Sequence, residues 1–456
     1  MKSRTFLVLI AGLAFVSFVA LSETGTEKSG EDLKGAYGYD EFDRPESCRQ
    51  CHTGIYYQWK QSMMAQAYTH HWDEIEYFDL AVEHAKRDPD FKDAVDGCNG
   101  CHAPLAYMAG DVPPPRPEKK PRANESVSCE VCHNISGYDE SKLYNYSYYM
   151  DPGEVKYGTR GGNQSSIHKS QKAPHIQSAK FCANCHNEKS PFGADVKSTY
   201  TEWKNGPYSD EGVQCQVCHM PAAPGVRSIT EGKEYDDVRQ HLFHGAHVPA
   251  KTNGAIDVLV QPSRFEYEPA DKAVFTVQLF NQKAGHKIPT GSVEDRLLYL
   301  HVEATDANGK TYHLKVDKKG FEGEEYTIAS DDAKAYQDFK DMMDVPEDFD
   351  GLPRDGVPEG DRIFRMPYFT KEGIMTICQW NTAKLGVDYR IGPRETKVET
   401  FSWYVPDEVA EGTLKVRAQL RYKLLVKPVA DFLDVPEDES KDRTINTGET
   451  EVEIYY

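Results

Sequence analysis

Apolar and polar residues alternate from residue 272 to 280, with Phe275, Val277 and Leu279 on one side. Leu298, Leu300, Val302 and Ala304 repeat the pattern. A period of two marks a strand with one buried face. Asp306-Ala307-Asn308-Gly309 then supplies turn chemistry leading into a run at 312–316. Further strand-like runs occupy 398–405, 414–424 and 451–456. About seven short strands bounded by turn residues predict an all-β sandwich over residues 251–456. An acidic, Pro/Gly-rich stretch at 318–394 interrupts the alternation and reads as an insertion. One helix is expected within it, at 332–343.

The texture before residue 250 is different. Runs at 55–68 and 72–86 carry a helical period and break near Pro89. Pro113-Pro114-Pro115-Arg116-Pro117 reads as a stiff extended loop. Residues 137–165 are rich in Tyr, Gly and Asn, and several of the tyrosines are expected to pack on flat ring edges. Residues 23–45 are polar and Gly-rich, which predicts a poorly ordered lead-in. Residues 1–22 read as a signal peptide: Lys2 and Arg4, an apolar run, then Ala20-Leu21-Ser22. The alternative is an uncleaved anchor, because the apolar run is nearly long enough to span a bilayer. No other segment has the composition of a membrane span.

The apolar pattern does not account for residues 48–219. They contain Cys48-Arg-Gln-Cys51-His52, Cys98-Asn-Gly-Cys101-His102, Cys129-Glu-Val-Cys132-His133, Cys182-Ala-Asn-Cys185-His186 and Cys215-Gln-Val-Cys218-His219. Cys-x-x-Cys-His is the pattern of c-type haem attachment. Two thiols reach two vinyl groups on one porphyrin edge, and the next residue offers an imidazole to the iron. Zinc is the alternative for paired Cys-x-x-Cys. Zinc pairs need no His after the second Cys, yet all five have one. Ten of the eleven cysteines are used in this way, and Cys378 is expected to be a buried free thiol. Five covalent haems are therefore expected, in a mostly helical and loop-built domain at 23–250 in which the porphyrins supply much of the apolar core. Motif starts lie 50, 31, 53 and 33 residues apart. The alternation suggests paired haems, second with third and fourth with fifth.

Charge changes the picture of partners. A formal charge of −20 makes nucleic acid binding improbable and favours a redox partner with a basic docking patch. Covalent haem attachment outside the cytoplasm agrees with export, so a periplasmic or extracellular address is expected, without a membrane span once the leader is cleaved.

The first four motifs with their flanks resemble the tetrahaem cytochrome c-five-five-four family, which takes electrons from hydroxylamine oxidoreductase. The stretches that carry the resemblance are Cys48–His52 with Trp59-Lys60 and Ala65-x-Ala67, Gly97-Cys98-x-Gly100-Cys101-His102, Val127-Ser128-Cys129-Glu130-x-Cys132-His133 with Gly137, and Cys182–His186. The fifth motif looks like that of larger multihaem relatives. The C-terminal half resembles the β-domain that follows such cytochromes, with recurrent phrases at 285–291 and 388–393. The resemblance implies that His168 is the second ligand of the first haem. It also implies a distal His where this chain has Met64. Methionine can ligate haem iron and raises its potential, so Met64 is either a ligand or packing beside a porphyrin, with His70 or His71 as substitutes.

Sixteen histidines occur, and five belong to motifs. Among the rest, His175 is a further distal candidate, as are His241 and His244 in the 240–247 cluster with His247, and His286 in its Pro-Thr-Gly loop. His84, His301 and His313 read as surface or strand residues. The reading that follows is an exported pentahaem electron carrier. Two alternatives stay open. One is a reductase or oxidase of nitrite or hydroxylamine at a five-coordinate haem. The motifs contain no Cys-x-x-Cys-Lys, and the second haem of the tetrahaem family is five-coordinate. The other is a subunit of an extracellular haem filament.

Overall fold

The computed structural model describes residues 28–162 and 167–456. The leader expected at 1–22 lies outside these residues. The alternating runs form strands β1 (Ile256–Pro262), β2 (Lys272–Asn281), β3 (Leu297–Thr305), β4 (Thr311–Leu314), β5 (Thr396–Tyr404), β6 (Gly412–Lys423) and β7 (Arg443–Ile454). A three-stranded sheet runs β5-β2-β1, and a six-stranded sheet contains β7-β6-β3-β4 with two short edge pieces. Leu300 pairs with Leu420 and Val277 with Val260 across antiparallel ladders. Phe275, Val277 and Leu279 from one sheet meet Leu298, Leu300, Val302, Val416, Ala418 and Leu420 from the other, all fully buried. The period-two residues are thus the sandwich core. Strand β1 escaped the sequence reading, and β7 is longer than the 451–456 expected.

The N-terminal half is built from short helices and hairpins. Helix Thr53–Lys60 is followed by helix His71–Ile75, a π-helical stretch Glu76–Ala81 and helix Val82–Arg87, which ends before Pro89. Helices Lys92–His102 and Pro104–Ala109 come next, and helices Ala179–His186 and Thr199–Lys204 precede the last motif. The lead-in is more structured than its composition suggests. Leu33 and Phe42 are buried against Leu105, Met108 and Tyr148, so two apolar residues suffice to pin a polar segment.

The insertion at 318–394 also departs from expectation. In place of a helix at 332–343 it forms a two-residue strand and a 3-10 turn, Gln337–Asp341. Tyr336, Phe339, Met342 and Trp380 pack there with Trp72, Leu80, Ala81 and Val95 of the helical half. The segment is a seam between the halves, and its apolar residues face a neighbour instead of following a helical stripe. Cys378 is fully buried in this seam, where burial pushes its thiol up. No helix among the described residues is long and apolar enough to cross a membrane.

Candidate haem-attachment centre

Each motif occupies a helical turn or the end of one. Cys129–His133 and Cys215–His219 are single turns, while Lys92–His102 and Ala179–His186 end on their motif histidines. Cys48 lies in Pro45–Arg49, and His52 caps the next helix. A turn of helix puts the first and fourth residues on one face, which aims both thiols the same way. In the second motif, Gly97 and Gly100 lie beneath the Tyr146 ring. A Cβ at Gly100 would come within 2.5 Å of Tyr146 Cγ. The tyrosine-rich stretch therefore packs directly onto the motif backbone, and Tyr148 hydroxyl donates to Gly100 O at 2.9 Å.

Backbone carbonyls set four motif imidazoles. Nδ1 meets Arg227 O at 2.7 Å for His52, Ala67 O at 2.8 Å for His102, Tyr157 O at 2.6 Å for His133 and His244 O at 2.8 Å for His219. A carbonyl acceptor puts the proton on Nδ1 and leaves the Nε2 lone pair for a metal.

Three of these rings look across a gap at a second imidazole. The ring centres of His52 and His168 are 6.1 Å apart, those of His133 and His241 6.4 Å, and those of His219 and His286 6.4 Å. Two imidazoles on opposite sides of one iron, each bonded at about 2 Å, place their ring centres about 6 Å apart. The second rings are oriented like the first. His241 Nδ1 meets Arg239 O at 2.9 Å and His286 Nδ1 meets Lys287 O at 2.8 Å. Burial lowers the His133 pKa, and lowers those of His219 and His241 to about 4, so these rings stay neutral and able to donate.

The β-domain supplies His286 through the two phrases singled out in its sequence. Ile288 and Ile391 form an antiparallel bridge that joins them. Thr290 Oγ1 donates to Glu202 Oε2 at 2.7 Å, and Arg390 Nη1 donates to Glu202 Oε1 at 2.5 Å. Glu202 lies on helix Thr199–Lys204, just before the fifth motif. Burial opposes the charge of Asp388, but Arg390 and Lys287 hold its carboxyl down, to about 2. A buried ion-pair network thus locks the His286 loop onto the haem half.

The other candidates lie elsewhere. Met64 packs beside Tyr56, Trp59 and Ala65. His175 lies among Tyr138, Tyr157 and Phe181, and its Nε2 meets Ile135 O at 2.9 Å. His244 acts through its carbonyl on His219. His247 stands edge-on to His70, whose Nε2 reaches Glu439 at 2.8 Å. His84, expected at the surface, is buried and accepts from Trp380 Nε1 at 3.0 Å. The aromatic seam reaches it, which the sequence around His84 does not reveal. His301 and His313 lie on β3 and β4 and share Asp361, at 3.0 and 2.7 Å.

Among the described residues, His102 and His186 face no imidazole at such a spacing. His102 also differs in its support. Besides the carbonyl, its Nδ1 reaches Asp73 Oδ1 at 3.3 Å. Burial lowers the pKa of this ring, and Asp73 more than reverses that. Sequence reasoning missed Asp73. Its only signal is a carboxylate in the first turn of a helix that starts near the motif's partner segment.

Motif thiols from different segments act on one another's ionisation: Cys48 and Cys129, Cys101 and Cys185, and Cys182 and Cys215. The fourth and fifth motifs adjoin, whereas the second joins the fourth instead of the third.

Residues 47–134 match the family described as "Cytochrome c554 and c-prime". The fold is similar to a penta-heme cytochrome c552 from Thermochromatium tepidum, at 21% identity and a TM-score of 0.63, covering 90% of this chain and 99% of that one. The chain thus has the fold of a penta-heme cytochrome, with a C-terminal β-domain, and its first three motifs match a c-type cytochrome family. Weaker similarities include the CARDB domain of the PF1109 protein from Pyrococcus furiosus, at 13% identity and a TM-score of 0.19, covering 44% of this chain and 87% of that one. Another is the sporulation control protein Spo0M from Bacillus subtilis, at 11% identity and a TM-score of 0.17, covering 44% of this chain and 50% of that one. No curated protein matches the sequence. The cytochrome's residues fit covalent haem: paired thiols on one face, an imidazole with its tautomer fixed, and facing imidazoles at the spacing an iron requires.

Proposed function

We propose that this multihaem electron-transfer cytochrome is exported, carries five haems and passes electrons along them between two protein partners. The facing imidazole pairs at His52/His168, His133/His241 and His219/His286 carry this reading. Bound haem supplies a one-electron couple between ferric and ferrous iron. An iron held on both sides by imidazole has no position for a substrate, so it exchanges electrons and little else. The chain's own residues fix ring orientation and, by burial, hold His133, His219 and His241 neutral. The thiol neighbours support a junction of the first haem with the third, and of the fourth with both the second and the fifth. Residues 251–456 act as a β-domain that closes the fifth haem with His286, and 23–250 as the haem domain.

The formal charge of −20 supports a partner with a basic docking patch. The test is intact mass together with reduction kinetics. Five haem increments are expected in the mature chain, and electron transfer to a basic partner should slow as salt is raised. Four increments or fewer would overturn the count.

A second reading is small-molecule reduction, of nitrite or hydroxylamine type, at the haem attached through Cys98 and Cys101. His102 faces no imidazole among the described residues, and titratable groups crowd around it. Binding of nitrite or hydroxylamine to the ferric protein, read as a shift of the high-spin bands, would favour it.

A further inference from the structure

Next to the second motif, two elements bring carboxylates together in the interior. Glu76 comes from the π-helical stretch, and Glu294 and Asp295 come from the loop before β3. Glu294 and Asp295 both push Glu76 up, and Asp295 pushes Glu294 up. Lys197 is the cation among them. Its Nζ donates to Glu188 Oε2 at 2.5 Å and to Gln379 Oε1. Asp295 accepts from Trp72 Nε1 at 3.0 Å on one oxygen. Its other oxygen, Oδ1, and Glu76 Oε1 meet no hydrogen-bond partner among the described residues. Glu294 and Asp295 are 6% and 2% exposed. The remaining charged neighbours are Asp73 from the helix before Glu76, Arg296 beside Asp295, Arg365 across the cavity, and Asp338 behind Cys378. Arg365 is already paired with Asp355 at 2.7 Å. A cavity of about 10 Å³ borders Glu294, Arg296, Arg365 and Tyr368, room for about one water.

The group is close to the haem attachment. Glu76, Glu188 and Lys197 act on Cys98, and Lys197 acts on both His102 and His186. Glu188 already pairs with Lys197 at 2.5 Å, so Glu76, Glu294 and Asp295 outnumber the remaining cation, Arg296. Uncompensated buried charge is costly, so the cluster must hold protons. Burial raises Glu76 and Glu294 well above the usual carboxylate range, and Asp295 to about 6.

We propose that Glu76, Glu294 and Asp295 form a proton-loading site for the haem attached at Cys98 and Cys101, so that each electron reaching this haem brings one proton into the cluster. This rests on the electron-transfer reading. The step balances. Bound haem would take up one electron from its neighbour, and one carboxylate of the cluster takes one proton from solvent hydronium, whose O–H bond breaks as the carboxyl O–H bond forms. The added negative charge at the haem raises the proton affinity of the carboxylates beside it, and proton uptake keeps the interior charge unchanged. In the small-molecule reading the same protons would serve the ligand.

The test is a potentiometric titration of the holoprotein at several pH values, with redox-difference infrared spectra of the same samples. One haem should show a tenfold change in its reduction equilibrium per pH unit around neutrality, and its potential should fall as pH rises. A carboxylic-acid carbonyl band should grow on reduction. In the double variant Glu76→Gln with Glu294→Gln, the pH slope and the band should shrink together while the haem content stays at the wild-type value. Potentials that are flat with pH in the wild type overturn the inference, and so does a slope unchanged in the double variant. If that variant does not fold, the wild-type infrared band decides alone: its absence on reduction overturns the proposal. If no haem titrates at all, the electron-transfer reading fails as well. Flat potentials with normal reduction sink only the proton coupling.

Discussion

The sites at His219 and His102 lie in one protein and solve opposite problems. At His219 the second side is covered by His286, delivered by a loop that Arg390 and Glu202 lock in place. Burial holds the His219 ring neutral, with a pKa lowered to about 4. At His102 no described imidazole stands opposite, a carboxylate supports the ring, and more carboxylates gather near the thiols. A neutral, imidazole-clamped site suits fast electron passage with little rearrangement. A site ringed by proton-holding groups suits chemistry in which charge must be balanced.

The comparison can be broken hardest at its lock. Arg390→Met leaves Glu202 buried without its cation and Asp388 with Lys287 alone. This should cost about 3–5 kcal/mol in thermal or denaturant unfolding of the holoprotein. It should also release the His286 loop, seen as a high-spin fraction that the wild type lacks at that haem. The core of the β-domain offers a control on the same scale. Phe275→Ala should cost about 3–5 kcal/mol and leave the haem spectrum unchanged.

Asp73→Asn sharpens the other side. The Asp73 carboxylate 3.3 Å from His102 Nδ1 makes the imidazole a stronger donor, which favours ferric iron. Its loss should raise the potential of one haem and leave the facing-pair haems where they are. An unmoved potential would remove Asp73 from any tuning role. The lock also has a pH dependence. The Asp388 carboxyl is held down to about 2, below its unfolded value, so its contribution is present above that unfolded value and is lost as pH falls toward 2. Acid unfolding of the holoprotein should therefore begin earlier than in Asp388→Asn when the two are compared at matched neutral stability. The smallest effect belongs to Met64. Packed beside Tyr56 and Trp59, it should lose about 1 kcal/mol on truncation to Ala, with no shift of any haem potential.

These two sites also show what was legible in the chain. The five motifs and the alternating strands are local patterns, and the sequence carries them whole. His286 was visible as a candidate in a Pro-Thr-Gly loop, although its partner was not. The pairing with His219 needs a contact between residues more than 60 positions apart, made by Arg390 and Glu202. Asp73, Glu76, Glu294 and Asp295 were invisible because an acidic residue in a charged sequence carries no mark of burial. The seam at 318–394 hid for the same reason in reverse. Tyr336, Phe339 and Trp380 follow no period, because they fit the irregular surface of another segment. Leu33 and Phe42 were outvoted by their polar neighbours.

The most direct test of the central claim is the electron paramagnetic resonance spectrum of the ferric holoprotein beside that of His286→Ala. The account predicts low-spin bis-imidazole signals from the three facing pairs in the wild type. In the variant one of them disappears and a high-spin signal takes its place, while the haem stays attached through Cys215 and Cys218. A His286→Ala spectrum identical to the wild type would contradict the account.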